Sequence, residues 1–408
     1  MPDSPNRNLV PRLIAIDMDG TLLGDDGRVS PRNLAALFAA QAAGIEVVVA
    51  TGRRHSYAMR VLRPLGLRPA SVLVSSNGTV TRTLGSAADA SQLITRTYLP
   101  HATALWLCAH VDEFRNALVL TFDRVGPDGD DARGALVVEH LDELNSSIGR
   151  WMAANEPYIA RVNPIENALT GSDGDAPIQA MLCGTLERMA RAEARLLEHP
   201  GVSASGHPSG RSGRTMNGPA TPPPQSPGAP SFATLSPGAP HLASEMWDSN
   251  HQSPGAPSLA ASPTLGGPSF PALSSNPGGP SFPASSERVG CLPTSSQVTE
   301  PVPLLTLNRT EYPERDLSIL DILPAGCSKG AAILSLAATH GIAPAGILAI
   351  GDNWNDVSML EIAGAAVLMD NAPEDLKALA RTRGWRIGPS NSADGVANAI
   401  EAAFSVPC

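Results

Sequence analysis

Two aspartates directly follow a short apolar run near the start of the chain. Asp17 and Asp19 are separated by one residue, and Gly20 lets the backbone bend without a Cβ clash. Carboxylates at this spacing can face one pocket when the chain turns. One of them can then attack phosphorus, while the other transfers a proton to the leaving oxygen and later activates water. A polar turn with helix-capping acids is the alternative, which the hydrophobic run before Asp17 disfavours.

Three more polar groups occupy comparable positions further along the chain. Thr51 ends a run of valines and could hydrogen-bond a phosphoryl oxygen, although Thr-Gly after a strand is usually a simple turn. Lys329 opens a predicted helix, where the helix dipole disfavours a cation unless an anionic partner is near. Asp352 directly follows a buried run and is a candidate ligand for a hard cation, with Asp356 four residues later. These segments supply the nucleophile, the positive charge and the donors that phosphoryl transfer requires.

A scaffold that gathers distant segments is needed to bring these residues together. Short apolar runs alternate with predicted helices, and polar residues follow each run. This rhythm predicts a doubly wound α/β core with a parallel sheet, which binds its ligand at the carboxyl ends of the strands. Ser30 and Pro31 are typical of a helix start. The predicted core strands are 13–16, 45–50, 72–74, 347–350 and 365–369.

The pattern changes after about residue 81. Two β-prone runs flank a turn-rich acidic segment and predict an antiparallel hairpin, 116–123 with 134–140. Further strands are expected at 178–183, 302–308 and 316–323, with a helix at 185–198. We therefore predict a flexible N terminus (1–11), a catalytic core (12–82 and 324–408) and an inserted α+β cap domain (83–202 and 301–323).

Residues 203–300 have a different composition, dominated by Pro, Gly, Ser and Ala. A unit of about ten residues recurs, for example SPGAPSFATL from 226 and SPGAPHLASE from 236. Such a segment buries too little apolar surface to offset the entropy cost of ordering, so we predict a disordered insertion with polyproline character within the cap. A tolerated surface insertion is the favoured interpretation, because long loops add little closure entropy. Weak docking of a protein partner through its Phe residues is the alternative.

Composition excludes several classes of function. The formal charge is −10, which argues against a nucleic-acid or anionic-membrane surface. The five cysteines are scattered without CxxC spacing, so neither a disulfide framework nor a zinc site is expected, and a reducing cytoplasm is the expected setting. No signal peptide or run of about 20 apolar residues is expected from the sequence. Neither a P-loop nor GxGxxG occurs, so a kinase or dehydrogenase has no support.

The polar segments also carry a family resemblance. The stretches IAIDMDGTLL, VVVATGR, CSKG and GDNWND resemble, in order, the four motifs of the haloacid dehalogenase (HAD) superfamily of phosphatases. The resemblance implies that Asp17 is the nucleophile that becomes phosphorylated and that Asp19 is the general acid/base. Lys329 would neutralise charge between the nucleophile and the phosphoryl group. A Mg²⁺ ion would be held by Asp17, the backbone carbonyl of Asp19 and Asp352.

The same resemblance extends to residues around this centre. It implies phosphate-binding roles for four residues: Thr51, Gly52, Asn77 and Asn355. Asp356 would support the site through water or Lys329. Arg53 could touch the substrate or an acid, and a solvated or salt-bridged surface position is equally open for it.

GDNWNDVSMLEIAG and AVLMDNAP resemble the Cof-type branch of the superfamily, which has an α+β cap. This resemblance covers residues 12–200 and 301–404 and implies hydrolysis of small phosphorylated metabolites: sugar phosphates, nucleotides or phosphorylated vitamins. The cap would select among them. A phosphomutase, or a dedicated sugar-phosphate phosphatase of the same branch, is the alternative enzymatic interpretation. An inert scaffold that uses its repeats for binding is the non-enzymatic one.

Overall fold

The computed structural model describes residues 10–86, 90–126, 129–169, 175–204 and 304–404. These residues form two sheets, whose strands are numbered here in chain order. The first sheet has eight strands in the order β15-β14-β13-β1-β2-β3-β4-β5. Its strands are β1 (Leu13–Asp17), β2 (Glu46–Ala50), β3 (Val72–Ser75), β4 (Val80–Thr83), β5 (Leu93–Arg96), β13 (Ile347–Gly351), β14 (Ala365–Met369) and β15 (Arg386–Gly388).

Strand β1 is central and lies between two parallel neighbours, β2 and β13. All five of its residues are buried, as the continuous apolar run predicts for a strand covered on both faces. The chain runs outward from β1 through β2 and β3, and later returns on the other side through β13 and β14. The strand order therefore reverses beside β1, and ligands bind at such a switch point in open α/β sheets.

Six helices cover the two faces of this sheet: α1 (Pro31–Ala42), α2 (His55–Leu62), α6 (Lys329–Thr339), α7 (Val357–Ile362), α8 (Glu374–Arg383) and α9 (Gly395–Phe404). Ile14 and Ile16 point into the apolar cluster with α1, α2 and α9. Leu13 and Ala15 point into the opposite cluster with α6, α7 and α8. The alternation of side chains along β1 thus builds a core on both sides, and the predicted doubly wound α/β fold is confirmed.

The second sheet has seven strands in the order β10-β11-β12-β9-β6-β7-β8. They are β6 (Leu118–Thr121), β7 (Leu136–Val138), β8 (Ile159–Arg161), β9 (Gln179–Gly184), β10 (Val202–Ala204), β11 (Leu305–Tyr312) and β12 (Leu317–Pro324). The predicted antiparallel hairpin is present as β6 and β7. Helices α3 (His101–His110) and α5 (Leu186–Leu197) pack on one face, and α4 (Asp142–Asn155) packs on the other.

Two predicted boundaries differ from the structure. We expected the cap from residue 83, but the first sheet continues to Arg96, because β4 and β5 form an antiparallel hairpin at its edge. Strand β5 was missed because its residues are mostly exposed and form no apolar run. Ser203 and Ala204, assigned to the insertion, pair with β11 as part of β10. Of the segments predicted to be flexible, 1–9 and 205–300 lie outside the described residues.

Within the described ranges, no helix combines the length and the hydropathy that a membrane span requires.

Candidate active site

Asp17 and Asp19 lie at the carboxyl end of β1, where the chain turns away from the sheet. Asp17 is the last residue of the strand, and both aspartates are buried. Gly20 follows with a left-handed φ of 76°, and a Cβ at this position would lie 2.3 Å from Oδ2 of Asp352. Glycine is therefore required here for two reasons, because it allows the turn and because it lets the second acidic segment approach.

Lys329 connects Asp17, at the end of β1, to Asp356, in the segment after β13. It is the first residue of α6, whose N-terminal cap is Ser328, and its side chain is fully buried. Its Nζ donates to Oδ1 of Asp17 over 2.5 Å and to Oδ1 of Asp356 over 2.7 Å. A buried ammonium needs such partners, so the bridge fixes both carboxylates in place.

Asp352 follows β13 and is held from two sides. Its Oδ1 accepts a hydrogen bond from Oγ1 of Thr21 over 2.9 Å. Its Oδ2 accepts from Nδ2 of Asn371 over 3.2 Å, and the same amide donates to the carbonyl of Gly20 over 2.8 Å. These contacts tie the turn after β1 to the ends of β13 and β14.

Asp356 has both carboxylate oxygens engaged. Besides the bond to Lys329, its Oδ2 accepts from the backbone amides of Asp352 (2.9 Å) and Asn353 (3.1 Å). Asp356 therefore positions Lys329 and the loop that carries Asp352.

Burial and mutual repulsion dominate the electrostatics of this cluster. Burial, reinforced by Asp356 and Asp19 and opposed by Lys329, raises the pKa of Asp17 to about 8. The pKa of Asp352 is raised well above its usual range, mainly by burial and then by Asp17 and Asp356. Burial opposes the charge on Lys329, but the two carboxylates bonded to it outweigh that cost and raise its pKa. The cluster is thus short of positive charge when its acids are ionised.

The donor set fits a hard divalent cation. Carboxylate oxygens of Asp17, Asp352 and Asp356 lie within 4.8 Å of one another, and all three residues are buried. Because Asp356 is committed to Lys329 and to two amides, Asp17 and Asp352 are the better placed ligands. Oxygen-only donors favour Mg²⁺ over softer metals.

Arg53 lies inside the site and is not a surface residue. Its guanidinium is buried and forms a two-pronged ion pair with Asp19, in which Nε donates to Oδ2 over 2.9 Å and Nη2 donates to Oδ1. Thr51 directly follows β2 beside it, and its Oγ1 accepts from the amide of Arg53 over 3.1 Å. A planar fork of this kind fixes the orientation of the Asp19 carboxylate.

The remaining predicted phosphate-binding residues line a cavity between the first sheet and the second. Gly52, Asn77 and Asn355 all contribute to its wall. Asn77 adopts a left-handed conformation after β3, and its Nδ2 donates over 3.0 Å to Oδ2 of Asp321 on β12. The structure therefore brings the predicted site residues to one end of the first sheet, where the second sheet faces them.

Three residues of this region were not predicted: Thr21, Asn371 and Asp321. Asn371 is the second residue after β14, next to Asp370, so the presence of polar residues at the end of an apolar run could have identified it. Asp321 gave no such signal, because it lies in the middle of a strand of the cap. Burial raises its pKa to about 7, against the hydrogen bond from Asn77 and the attraction of Lys329.

Curated proteins share short segments with this chain. Phosphatase YwpJ of Bacillus subtilis is 51% identical over 69 residues, which are 17% of this chain and 24% of that protein. The 5-amino-6-(5-phospho-D-ribitylamino)uracil phosphatase YwtE of the same species is 41% identical over 87 residues, 21% of this chain and 29% of YwtE. The chloroplastic endoribonuclease YBEY of Arabidopsis thaliana is 40% identical over 95 residues, 23% of this chain and 16% of that protein. The alignments thus span less than a third of each relative.

Comparison with solved structures and with family models covers much more of the chain. A haloacid dehalogenase-like hydrolase from B. subtilis superposes over 96% of this chain and 99% of its own, with a TM-score of 0.56 and 20% identity. This likeness shows the fold. The family model for haloacid dehalogenase-like hydrolases matches residues 14–196 and 301–400, the segments that contain β1, α6 and β13. The chain therefore belongs to the haloacid dehalogenase-like hydrolase family.

Proposed function

We propose that this protein is a magnesium-dependent phosphatase that hydrolyses small phosphorylated metabolites through a phosphoryl group carried on Asp17. The observation that carries the proposal is the bridge from Lys329 to Asp17 and Asp356 beside the buried carboxylate of Asp352. It joins a candidate nucleophile to a fixed positive charge by a hydrogen bond, beside a candidate cation site whose carboxylate oxygens lie within 4.8 Å of one another.

The contacts favour Asp17 as the nucleophile. Lys329 holds one of its oxygens, which orients the other toward an incoming phosphate. Asp352 accepts bonds at both oxygens, from Thr21 and from Asn371. Asp19 is held by Arg53 at both oxygens. Asp17 is also the residue at the switch point of the sheet, where a ligand of the core would bind.

The proposed reaction has two displacements. In the first, an oxygen of Asp17 attacks phosphorus, the bond from phosphorus to the substrate oxygen breaks, and Asp19, which is protonated at this stage, gives that oxygen its proton and becomes a carboxylate. In the second, Asp19 takes a proton from water, the water oxygen attacks phosphorus, and the bond to Asp17 breaks to release inorganic phosphate. Arg53 positions Asp19 for both proton transfers.

The charge balance supports a divalent cation. Fully ionised, the cluster carries four carboxylates against two cations, a formal net charge of −2: Asp17, Asp19, Asp352 and Asp356 against Lys329 and Arg53. Asp17, Asp352 and the backbone carbonyl of Asp19 would hold Mg²⁺, which when bound would supply the positive charge that lets an anionic nucleophile approach an anionic ester.

The named relatives add limited support. Two are phosphatases, and one of those acts on a phosphorylated ribitylamino-uracil. Since each alignment covers less than a third of the relative, the names alone do not assign an activity. The endoribonuclease name is the least informative, because only 16% of that protein is aligned.

Turnover of para-nitrophenyl phosphate with and without Mg²⁺ tests the proposal. We expect Asp17→Asn to lower kcat by at least about 10³-fold, because loss of a nucleophile removes the whole covalent route. The acid-quenched wild-type protein should carry one phosphoryl group that Asp17→Asn lacks. Asp112→Asn, on an exposed surface of the cap, is the matched control. Equal rates for wild type and Asp17→Asn would refute the nucleophile assignment.

A further inference from the structure

The cavity between the two sheets contains one charged side chain that has no opposite charge paired with it. Three charged residues line this cavity: Arg53, Arg54 and Asp321. Arg53 is paired with Asp19 of the catalytic cluster. Arg54 is paired with Asp131, which belongs to the cap. Among the described residues, no lysine, arginine or histidine forms an ion pair with Asp321, so its carboxyl group is the unbalanced charge of the lining.

Asp321 reaches the cavity from the cap's sheet. It lies in the middle of β12, where Asn308 on β11 and Met181 on β9 are its cross-strand neighbours. Its Oδ2 accepts a hydrogen bond of 3.0 Å from Nδ2 of Asn77, which belongs to the first sheet's side of the cavity. Lys329 attracts its charge without forming an ion pair with it. Asp321 is therefore a cap residue that faces the catalytic cluster and contacts it through Asn77.

Asn77 is fixed among the loops that surround Asp17. Its backbone amide donates to the carbonyl of Thr51 over 3.1 Å, and a Cβ on Gly52 would lie 3.2 Å from its Oδ1. The side chain is 2% exposed, and Oδ1 has no hydrogen-bond partner among the described residues. Nδ2 is thus a fixed donor beside the loop that follows β2. A phosphoryl group on Asp17 needs such donors around its oxygens.

The Asp321 carboxyl group changes its charge near neutral pH, whereas its titratable neighbours do not. Burial raises the pKa of Asp321 to about 7, against the hydrogen bond from Asn77 and the attraction of Lys329. Tyr312 and Cys183 also face Asp321, and burial raises the pKa of both well above their ordinary values, so both stay neutral. Asp321 is accordingly protonated below about pH 7 and is an anion above it.

The two forms of Asp321 differ in how they treat an incoming phosphate. A hydrogen bond to an ionised acceptor is about twice as strong as one to a neutral acceptor, so the carboxylate holds Nδ2 of Asn77 firmly. It also places a negative charge beside the position that an anionic ester must reach. Protonation weakens the hydrogen bond and removes the repulsion.

We propose that Asp321 controls the access of the substrate's phosphoryl group to Asn77. In its ionised form it occupies the Nδ2 donor and repels the ester, and in its protonated form it releases both constraints. Asp321 is then a positioning residue of the cap that sets KM, while the bond-breaking steps remain with Asp17 and Asp19. This inference rests on the proposed phosphatase function.

The dependence of KM on pH tests the inference, with para-nitrophenyl phosphate as the substrate and Mg²⁺ present. Wild-type KM should rise about tenfold between pH 6 and pH 8, because the fraction of protein with a protonated Asp321 falls by about that factor around a pKa of about 7. Asp321→Asn keeps the shape of the protonated carboxyl group and cannot ionise, so its KM should stay near the wild-type value at pH 6. Asp321→Ala should show the same flat profile. All these proteins share the carboxylate cluster, so the ratio of wild-type to variant KM isolates Asp321.

Asp316→Asn is the matched control. Asp316 is an exposed residue in the turn between β11 and β12, and its left-handed φ of 47° suits asparagine. This variant should keep the wild-type KM at both pH values. Calorimetric titration with inorganic phosphate gives a readout that does not depend on turnover. At pH 8, Asp321→Asn should bind phosphate about tenfold more tightly than wild type.

The outcomes separate this inference from the phosphatase function. A wild-type KM that stays constant between pH 6 and pH 8 overturns the inference and leaves the phosphatase function standing. A KM that is raised at every pH in Asp321→Asn does the same, because Asp321 would then orient Asn77 for the ester and not compete with it. If wild type hydrolyses no para-nitrophenyl phosphate, the phosphatase function fails. The calorimetric titration still decides the inference in that case, since equal phosphate affinities of wild type and Asp321→Asn at pH 8 overturn it.

Discussion

Lys329 is one of only two lysines among the 29 basic residues of this chain, and the other is Lys377. In a sequence that otherwise uses arginine, a lysine in the active site is informative. A compact ammonium can sit between two carboxylate oxygens at 2.5 and 2.7 Å, whereas a planar guanidinium is larger and needs a fork of acceptors. The side chain is fully buried, so a guanidinium here would be enclosed by protein and could not extend into solvent.

We therefore expect Lys329→Arg to lower kcat by at least about 10²-fold although it conserves the charge. The matched control is Lys377→Arg, because Lys377 forms surface ion pairs with Asp370 and Glu374 that an arginine can also make. Steady-state rates with para-nitrophenyl phosphate measure both. Full activity of Lys329→Arg would show that charge alone is needed at this position.

His55 gives the folded state a dependence on pH that is separate from catalysis. It is the first residue of α2, it is buried, and its Nδ1 has no hydrogen-bond partner among the described residues. Burial, together with repulsion from Arg82 and against the attraction of Asp123, lowers the pKa of His55 to about 4. In the unfolded chain His55 takes up a proton near pH 6.5, whereas in the folded chain it stays neutral down to about pH 4. Burial of neutral His55 therefore leaves the folded state at its full stability above pH 6.5, and this stability is lost as the pH falls toward 4.

The shift corresponds to about 3 kcal/mol of unfolding free energy across that interval. We expect His55→Gln to remove this share of the pH dependence. Urea unfolding of wild type and variant between pH 4 and 7 measures it. Parallel stability curves for the two proteins would contradict the assignment.

Much of the site could be predicted at the level of single residues, because its members follow the ends of buried strands. Asp17, Asp352 and Lys329 were each marked by an apolar run or by a helix start. The sequence does not show which of these residues contact one another. For example, Asn371 donates a hydrogen bond to the carbonyl of Gly20, which is 351 positions away in the sequence. Arg53 shows the same limit, because its partner Asp19 is fixed only once β1 and β2 lie side by side.

At the scale of elements, strands buried on both faces were predicted most directly. Strands β1, β2 and β13 are continuous apolar runs, and each forms where the sequence predicts it. Edge strand β5 was missed because three of its four residues are exposed, so it contains no apolar run. This strand forms because it pairs with β4, and its amino-acid composition alone does not indicate it. The position of the boundary between the first sheet and the cap was wrong for the same reason.

Helix α6 positions Lys329 only because it packs closely against α7. A Cβ on Gly330 would lie 2.1 Å from the backbone oxygen of Ser358 on α7, and this oxygen cannot move without the whole helix. We expect Gly330→Ala to separate the two helices, to cost about 2–3 kcal/mol of stability and to lower kcat by displacing Lys329.

Gly149→Ala is the matched control for this substitution. Gly149 lies in α4, where an added Cβ meets nothing within 4 Å, so alanine should be neutral or should stabilise by up to about 1 kcal/mol. Thermal unfolding and turnover compare the two variants. An unchanged melting temperature in Gly330→Ala would mean that the α6–α7 contact does not constrain the site.

For the whole molecule, the repeat-rich segment joins two strands that are neighbours in the cap. Strand β10 runs parallel to β11, with Val202 opposite Leu305 and Ala204 opposite Leu307. Because the strands are parallel, the end of β10 lies about 7 Å along the sheet from the start of β11, a separation of two residues at about 3.3 Å per residue. Parallel neighbours also need a crossover of about a dozen residues, so the fold requires a connection here but not one of this length.

This geometry predicts different outcomes for two deletions. Replacing residues 205–303 with a 12-residue Gly/Ser linker should keep the fold and the basal turnover, because such a linker spans about 19 Å on average and added loop length costs little closure entropy. Joining Ala204 directly to Leu304 cannot close the gap, because one peptide unit spans about 3.8 Å. That variant should lose the β10–β11 pairing and melt at a lower temperature than the linker variant. Thermal unfolding and para-nitrophenyl phosphate turnover distinguish them, and a linker variant that no longer unfolds cooperatively would show that the repeats contribute to the folded cap.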